Sequence, residues 1–125
     1  MNDGEVSHVD RFLGDAAISK LCTETWSKTS NIKRIILRGN CISEIGAQAL
    51  VPVIQKNTEL SYVSLEWNQL GSSGVIALST ALEGTKHMVT LDLKNNNIGD
   101  EGAIALAVCL ERNESIKTLD LRFLY

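Results

Sequence analysis

Three cysteines, two histidines and one glycine–serine turn are the residues here whose types invite chemistry. Cys22, Cys41 and Cys109 are odd in number and widely spaced, with no Cys-x-x-Cys pair. They form neither a disulfide framework nor a zinc site. A reactive thiol needs a fixed cationic or basic neighbour, and the sequence places none beside them. They read as packing residues, with Cys22 and Cys109 inward and Cys41, beside Asn40, the one thiol within reach of solvent. His8 and His87 stand alone, and His87 reads as a solvated residue in a linking segment. Gly71-Ser72-Ser73-Gly74 has the look of a phosphate loop but lacks its lysine. No metalloprotease pair, nucleophile elbow or dinucleotide fingerprint is present in the sequence. No catalytic residue, metal ligand or cofactor is expected. The sequon Asn113-Glu114-Ser115 matters only in a secreted chain.

The composition supports the same exclusion. The chain has 125 residues, 44% of them apolar and 22% charged, as in an ordinary single globular domain. Twelve basic against 15 acidic residues give a net charge of −3. That balance argues against a nucleic-acid partner, which would call for a basic field. No run approaches the roughly 20 apolar residues of a membrane span, and the acidic N-terminus is unlike a signal peptide. The expectation is a soluble cytoplasmic domain with reduced cysteines, bound to no membrane.

The elements that must position any site are set by an internal repeat. Ile32, Leu60, Met88 and Ile116 recur every 28 residues, as do Ile35, Val63, Leu91 and Leu119. Leu37, Leu65, Leu93 and Leu121 follow in step, then Asn40, Asn68 and Asn96, then Ile42, Leu70 and Ile98. Later columns are Gly46, Gly74 and Gly102, then Leu50, Leu78 and Leu106, with Ile54, Leu82 and Leu110 closing each unit. The first part of each unit alternates apolar and polar, which is a short strand. The second part carries apolar residues at helical spacing. Pro52 removes a backbone donor, so the first of these helices is expected to kink or end early.

A strand, a helix and a strand within one repeat force parallel strands joined by right-handed crossovers. Strands stack about 4.8 Å apart while helices need about 8–10 Å, so the stack bends with its strands inside. The fold class is therefore α/β: a right-handed solenoid with a parallel sheet on the concave face and helices on the convex face. A buried asparagine amide in each unit can satisfy loop backbone that has no ladder of its own. No unit buries its apolar face alone, so stacking of the units is the source of stability.

The string Ile32-Lys33-Arg34-Ile35-Ile36-Leu37-Arg38-Gly39-Asn40-Cys41-Ile42 follows L-x-x-L-x-L-x-x-N-x-L, as do residues 60–70 and 88–98. This resembles a leucine-rich repeat protein. The 28-residue unit and the run Asn96 to Gly102 are similar to the ribonuclease-inhibitor-like subclass, which includes Ran GTPase-activating proteins and NOD-like-receptor repeats. The resemblance covers residues 32–125, and 15–31 more loosely. It implies units at 32–59, 60–87 and 88–115, with a partial unit at 116–125. Residues 15–31 are expected to form a strandless N-terminal capping helix with Trp26 as core anchor, behind a disordered leader at 1–14. At the other end, Phe123, Leu124 and Tyr125 leave an uncapped, exposed strand edge. A longer array, a covering partner and self-association through that edge all remain open.

The informative side chains are those the repeat does not need. The positions flanking each buried pair point to the concave face. They place Arg34, Ile36, Arg38, Tyr62, Glu66 and Trp67 at the centre of a patch, with Asp92, Lys94, Asp120 and Arg122 as its charged rim. Arg38, Glu66 and Lys94 would form an alternating ladder, and Asp92 would face Asp120 with Lys94 and Arg122 offsetting the repulsion. Exposed Trp, Tyr and Arg are enriched at binding hot spots. Local packing of Trp67 against Gly39 or Asn95 is the competing account. The reading is a protein–protein interaction module binding through its concave face without catalysis. The resemblance also implies two alternatives, a small-GTPase regulator or a structural component of a cytoskeletal, centrosomal or ciliary assembly.

Overall fold

The computed structural model describes residues 4–122. Five short strands alternate with four helices. The order is β1 (Glu5–Ser7), α1 (Gly14–Glu24), a 3-10 turn (Trp26–Lys28), β2 (Arg34–Ile36), α2 (Glu44–Lys56), β3 (Tyr62–Ser64), α3 (Gly71–Glu83), β4 (Thr90–Asp92), α4 (Gly99–Arg112) and β5 (Thr118–Asp120). All strands are parallel and lie in sequence order. Arg34, Tyr62, Thr90 and Thr118 align across the sheet, so the register follows the 28-residue repeat.

The core is one cluster between sheet and helices. Ile35, Val63 and Leu91 from the strands meet Leu50, Leu78 and Leu106 from the helices, all buried. Among themselves, the helices pack only on their sequence neighbours. The asparagine column does what a buried amide must. Asn68 Oδ1 accepts the N–H groups of Asn40 and Ile42, while its Nδ2 donates to the carbonyls of Leu37, Leu65 and Glu66. Asn96 and Asn40 repeat the pattern one unit later and one unit earlier.

A second polar column lies at the other end of the helices. Asn57, Thr85 and Asn113 follow the same spacing. Asn57 Nδ2 donates to Trp26 O and Val53 O, and Asn113 Nδ2 to Leu82 O. Thr85 in the middle unit bonds Leu82 O through its hydroxyl. These side chains close the helix ends, where carbonyls lack intrahelical partners.

The N-terminal unit departs from expectation. It has a strand, so α1 is no strandless cap, and residues 5–7 form that strand within the stretch read as a leader. β1 pairs with β2 through Glu5↔Arg34 and Val6↔Ile35, which is 29 residues rather than 28. In that frame His8 takes the leucine place and Arg11 the asparagine place, so the unit hides from a search for leucine and asparagine. His8 instead sits against Trp26, ring centroids 6.2 Å apart. Burial there, with Arg11 nearby, lowers its pKa. Trp26 is buried, as a core anchor should be.

α2 does not end early at Pro52. It runs through to Lys56 and has the same 13 residues as α3. Leu110, expected inside, is 40% exposed, although its counterparts Ile54 and Leu82 are buried. Their cover is the following helix, and α4 is the last helix among the described residues. His87 is not simply solvated. Its Nδ1 lies 2.7 Å from Leu60 O and so carries the proton, while its Nε2 is buried without a partner among the described residues. The edge at Phe123–Tyr125 lies outside the described residues.

Candidate protein-binding face

The strands hold one row of side chains toward the core and the alternate row toward the concave side. Outward from β2, Arg34 reaches Glu5 at 3.4 Å and lies 4.2 Å over the ring of Tyr62. The guanidinium thus ties three neighbouring strands together, by charge on one side and by the ring's quadrupole on the other. Arg38 pairs with Asp10 at 3.6 Å rather than with Glu66, so the expected ladder through Arg38 breaks at this point. Ile36 stands between the two arginines and is half-buried.

The other half of the face is organised around Lys94. Its Nζ lies 3.5 Å from Glu66, 3.4 Å from Asp92 and 3.8 Å from Asp120. Asp120 is also held by Arg122 at 2.8 Å. The Glu66–Lys94 and Asp92–Asp120 pairings therefore form as the spacing implied. Asp92 is no rim residue, however. It is 8% exposed and forms the floor of the face beside buried Ser64. Burial pushes the Asp92 carboxyl above the ordinary carboxylate range, and neighbouring Glu66 adds to this. The Lys94 amide and ammonium pull the other way without reversing it. Asp120 moves in the opposite direction, down to about 2, because the Arg122 guanidinium donates to it.

Trp67 is the outlier. It is 57% exposed and has φ +56°. The turn after each strand needs this left-handed conformation, and the matching residues Gly39 (φ +70°) and Asn95 (φ +59°) adopt it too. Glycine and asparagine tolerate it, whereas a tryptophan carries a cost of ~1–2 kcal/mol. A Cβ at Gly39 would collide with the Asp10 carboxylate that holds Arg38. Exposure means that burial does little to offset the cost at Trp67. The column Gly39, Trp67, Asn95 was itself the signal for a left-handed turn, since two of its members are the residues that favour it.

Cys22 is buried and its thiol is pushed up to about 12 by burial, and burial with Glu83 nearby also raises Cys109. Cys41 is half-buried and free. Gly71 to Gly74 open α3, within the ordinary turn of a repeat. Among the described residues no cluster of His, Cys, Asp and Glu could hold a metal ion. No helix among them is long and apolar enough to cross a membrane.

Comparison with known proteins agrees with this architecture. Residues 56–79 and 86–107 match the family model described as leucine-rich repeat. No curated protein sequence matches the chain. One similar solved structure is the actin-binding site 2 of leiomodin-1, with a TM-score of 0.84 and 16% identity, covering 98% of this chain and 72% of that one. Another is the tropomodulin C-terminal domain of Caenorhabditis elegans, with a TM-score of 0.85 and 20% identity, covering 99% and 76%. At these identities the likeness is one of fold. Residues 56–79 and 86–107 are thus leucine-rich repeats, and the chain has the leucine-rich repeat fold, a right-handed α/β solenoid with a five-stranded parallel sheet inside and helices outside.

Proposed function

We propose that the chain is a protein-interaction module that binds a cytoplasmic partner through its concave face, with no bond made or broken. The observation that carries this reading is Trp67, an exposed indole held in a strained turn where the neighbouring units use glycine and asparagine. Backbone strain that local packing does not relieve is typical of functional positions. Arg34 and Tyr62 form the second contact point, already stacked and so pre-ordered for binding. Ile36, Arg38 and Glu66 lie beside these two points, and Asp92, Lys94, Asp120 and Arg122 supply charge at the far side. The unit length supports a ribonuclease-inhibitor-like type of repeat.

The test is affinity capture from cell lysate with wild type and a Tyr62→Ala/Trp67→Ala variant of matched circular dichroism, read by mass spectrometry. A partner lost only with the variant supports the reading. Identical partner sets would sink it.

A second reading follows from the fold neighbours, one of which is an actin-binding site. In that reading the partner is a cytoskeletal protein, with actin the first candidate. Co-sedimentation with filamentous actin, and the rate of actin polymerisation with and without the protein, decide it. No binding and no rate change would reject actin.

A further inference from the structure

The convex side carries a second feature that the concave reading does not use. Ile45 on α2, Ile76 on α3, and Ile104 and Val108 on α4 are 59%, 40%, 63% and 40% exposed. β-branched residues lower helix propensity, and on an outer face they gain little packing in return. Their positions are not scattered. Ile76 and Ile104 are 28 residues apart and occupy the same place on adjacent helices. In the same frame Ile45 lies one turn earlier and Val108 one turn later. The four residues thus descend the helices by about 10 Å while crossing two helix spacings of about 9 Å. The result is a diagonal about 20 Å long, the length of a helix of about 14 residues.

Acids outnumber bases around this diagonal by five to two. Glu44, Asp100, Glu101 and Glu111 are exposed on α2 and α4, and Glu83 ends α3. The only bases on the three helices are Lys56 and Arg112, both in a last turn. Asp100 and Glu101 suit the positive end of α4, but Glu111 stands near its negative end, where an acid is unfavourable. Helix stability therefore accounts for Glu44, Asp100 and Glu101 but not for Glu83 and Glu111.

We infer that this apolar diagonal across α2, α3 and α4 docks a cationic amphipathic helix of a partner protein. The apolar face of that helix lies along Ile45, Ile76, Ile104 and Val108, and its lysines or arginines meet the acids on either side. The inference is independent of the concave face.

The probe is a synthetic leucine–lysine amphipathic helix of about 18 residues, labelled for fluorescence anisotropy, with a leucine–glutamate counterpart as control. The lysine peptide binds wild type, and added salt weakens the binding. Ile104→Ser/Val108→Ser weakens it about tenfold or more, a loss of about 1.4 kcal/mol. Trp67→Ala leaves it unchanged. Glu101→Lys/Glu111→Lys shifts the preference toward the glutamate peptide. Circular dichroism confirms that each variant is folded. No binding to wild type overturns the proposal, as does equal binding to wild type and the serine variant. A doubled mass in solution that the serine variant loses would make a second copy of this chain the occupant and also overturn it.

Discussion

The side-chain oxygen of Asn68 accepts the backbone N–H of Asn40 at 2.9 Å, so each unit's loop is held by the asparagine of the unit that follows. The same oxygen takes Ile42 N–H at 3.0 Å, and the amide nitrogen serves Leu37 O and Leu65 O. Asn68→Ala strands these buried groups at once. Each orphaned group costs about 1–3 kcal/mol, so the expected loss is about 3–5 kcal/mol. Urea unfolding checks this, with the midpoint falling. A loss below about 1 kcal/mol would mean that water enters and replaces the amide.

Two glycines predict opposite signs for one substitution. A Cβ at Gly46 would come 2.7 Å from Asp15 Oδ1 and from Ile42 Cγ2. Asp15 Oδ1 cannot retreat freely, because it accepts Ser43 N–H at 2.8 Å and Gly46 N–H at 3.0 Å. Gly46→Ala therefore destabilises, despite alanine's better helix propensity of about 1 kcal/mol. Gly84 has right-handed dihedrals and open space around a new Cβ. Gly84→Ala raises stability by about 0.4–1 kcal/mol. Thermal unfolding of the two variants side by side reads both signs.

Trp67→Asn separates stability from binding. Asparagine is what the next unit uses at this turn, and it relieves part of the left-handed strain. The variant is expected to be up to about 1 kcal/mol more stable and to lose the partner captured by wild type. A variant less stable than wild type would show that the indole packs productively after all.

The two aspartates of the concave face give opposite pH responses. The Asp92 pKa is raised, so its neutral form suits the fold better than its charged form. Its favourable contribution is present below the unfolded value of about 3.9 and is lost as pH rises through the higher folded value. Asp92→Asn, which mimics the neutral form, is thus more stable than wild type at pH 7 and equal to it near pH 3. Asp120, lowered to about 2, has the reverse sign. Its contribution is present above about 3.9 and fades only as pH falls toward the folded value. Asp120→Asn is less stable than wild type at pH 7. Denaturant titrations at both pH values test the pair.

Much of this architecture is legible in the sequence because the same demand recurs in every unit. Ile35, Val63 and Leu91 fill equivalent holes, and Asn40, Asn68 and Asn96 satisfy equivalent loops, so a column records each demand. The first unit escapes because its turn holds one extra residue and because His8 and Arg11 replace the marker residues. Asn57 and Asn113 were equally readable, but Thr85 between them broke the pattern of identity while keeping that of hydrogen bonding. Side-chain choices on the face were harder to read. Arg38 turned to Asp10 because the segment after the hidden first strand brings a carboxylate within reach. Asp92 sank into the floor because Ser64 beside it is small, and no column reveals depth.

The pattern of contacts also governs how the chain comes apart. Among the described residues, helices touch only neighbouring helices and strands only neighbouring strands, and the longest hydrogen bond, from Asn40 to His8 O, closes a loop of 32 residues. Among the described residues, a pull along the solenoid meets no tie that spans the stack. Tension should therefore strip units from an end one after another, each releasing roughly 90–100 Å of slack for its 28 residues, in place of one abrupt rupture. Such a module behaves as an extensible link, yielding in steps and able to re-zip from whichever units remain.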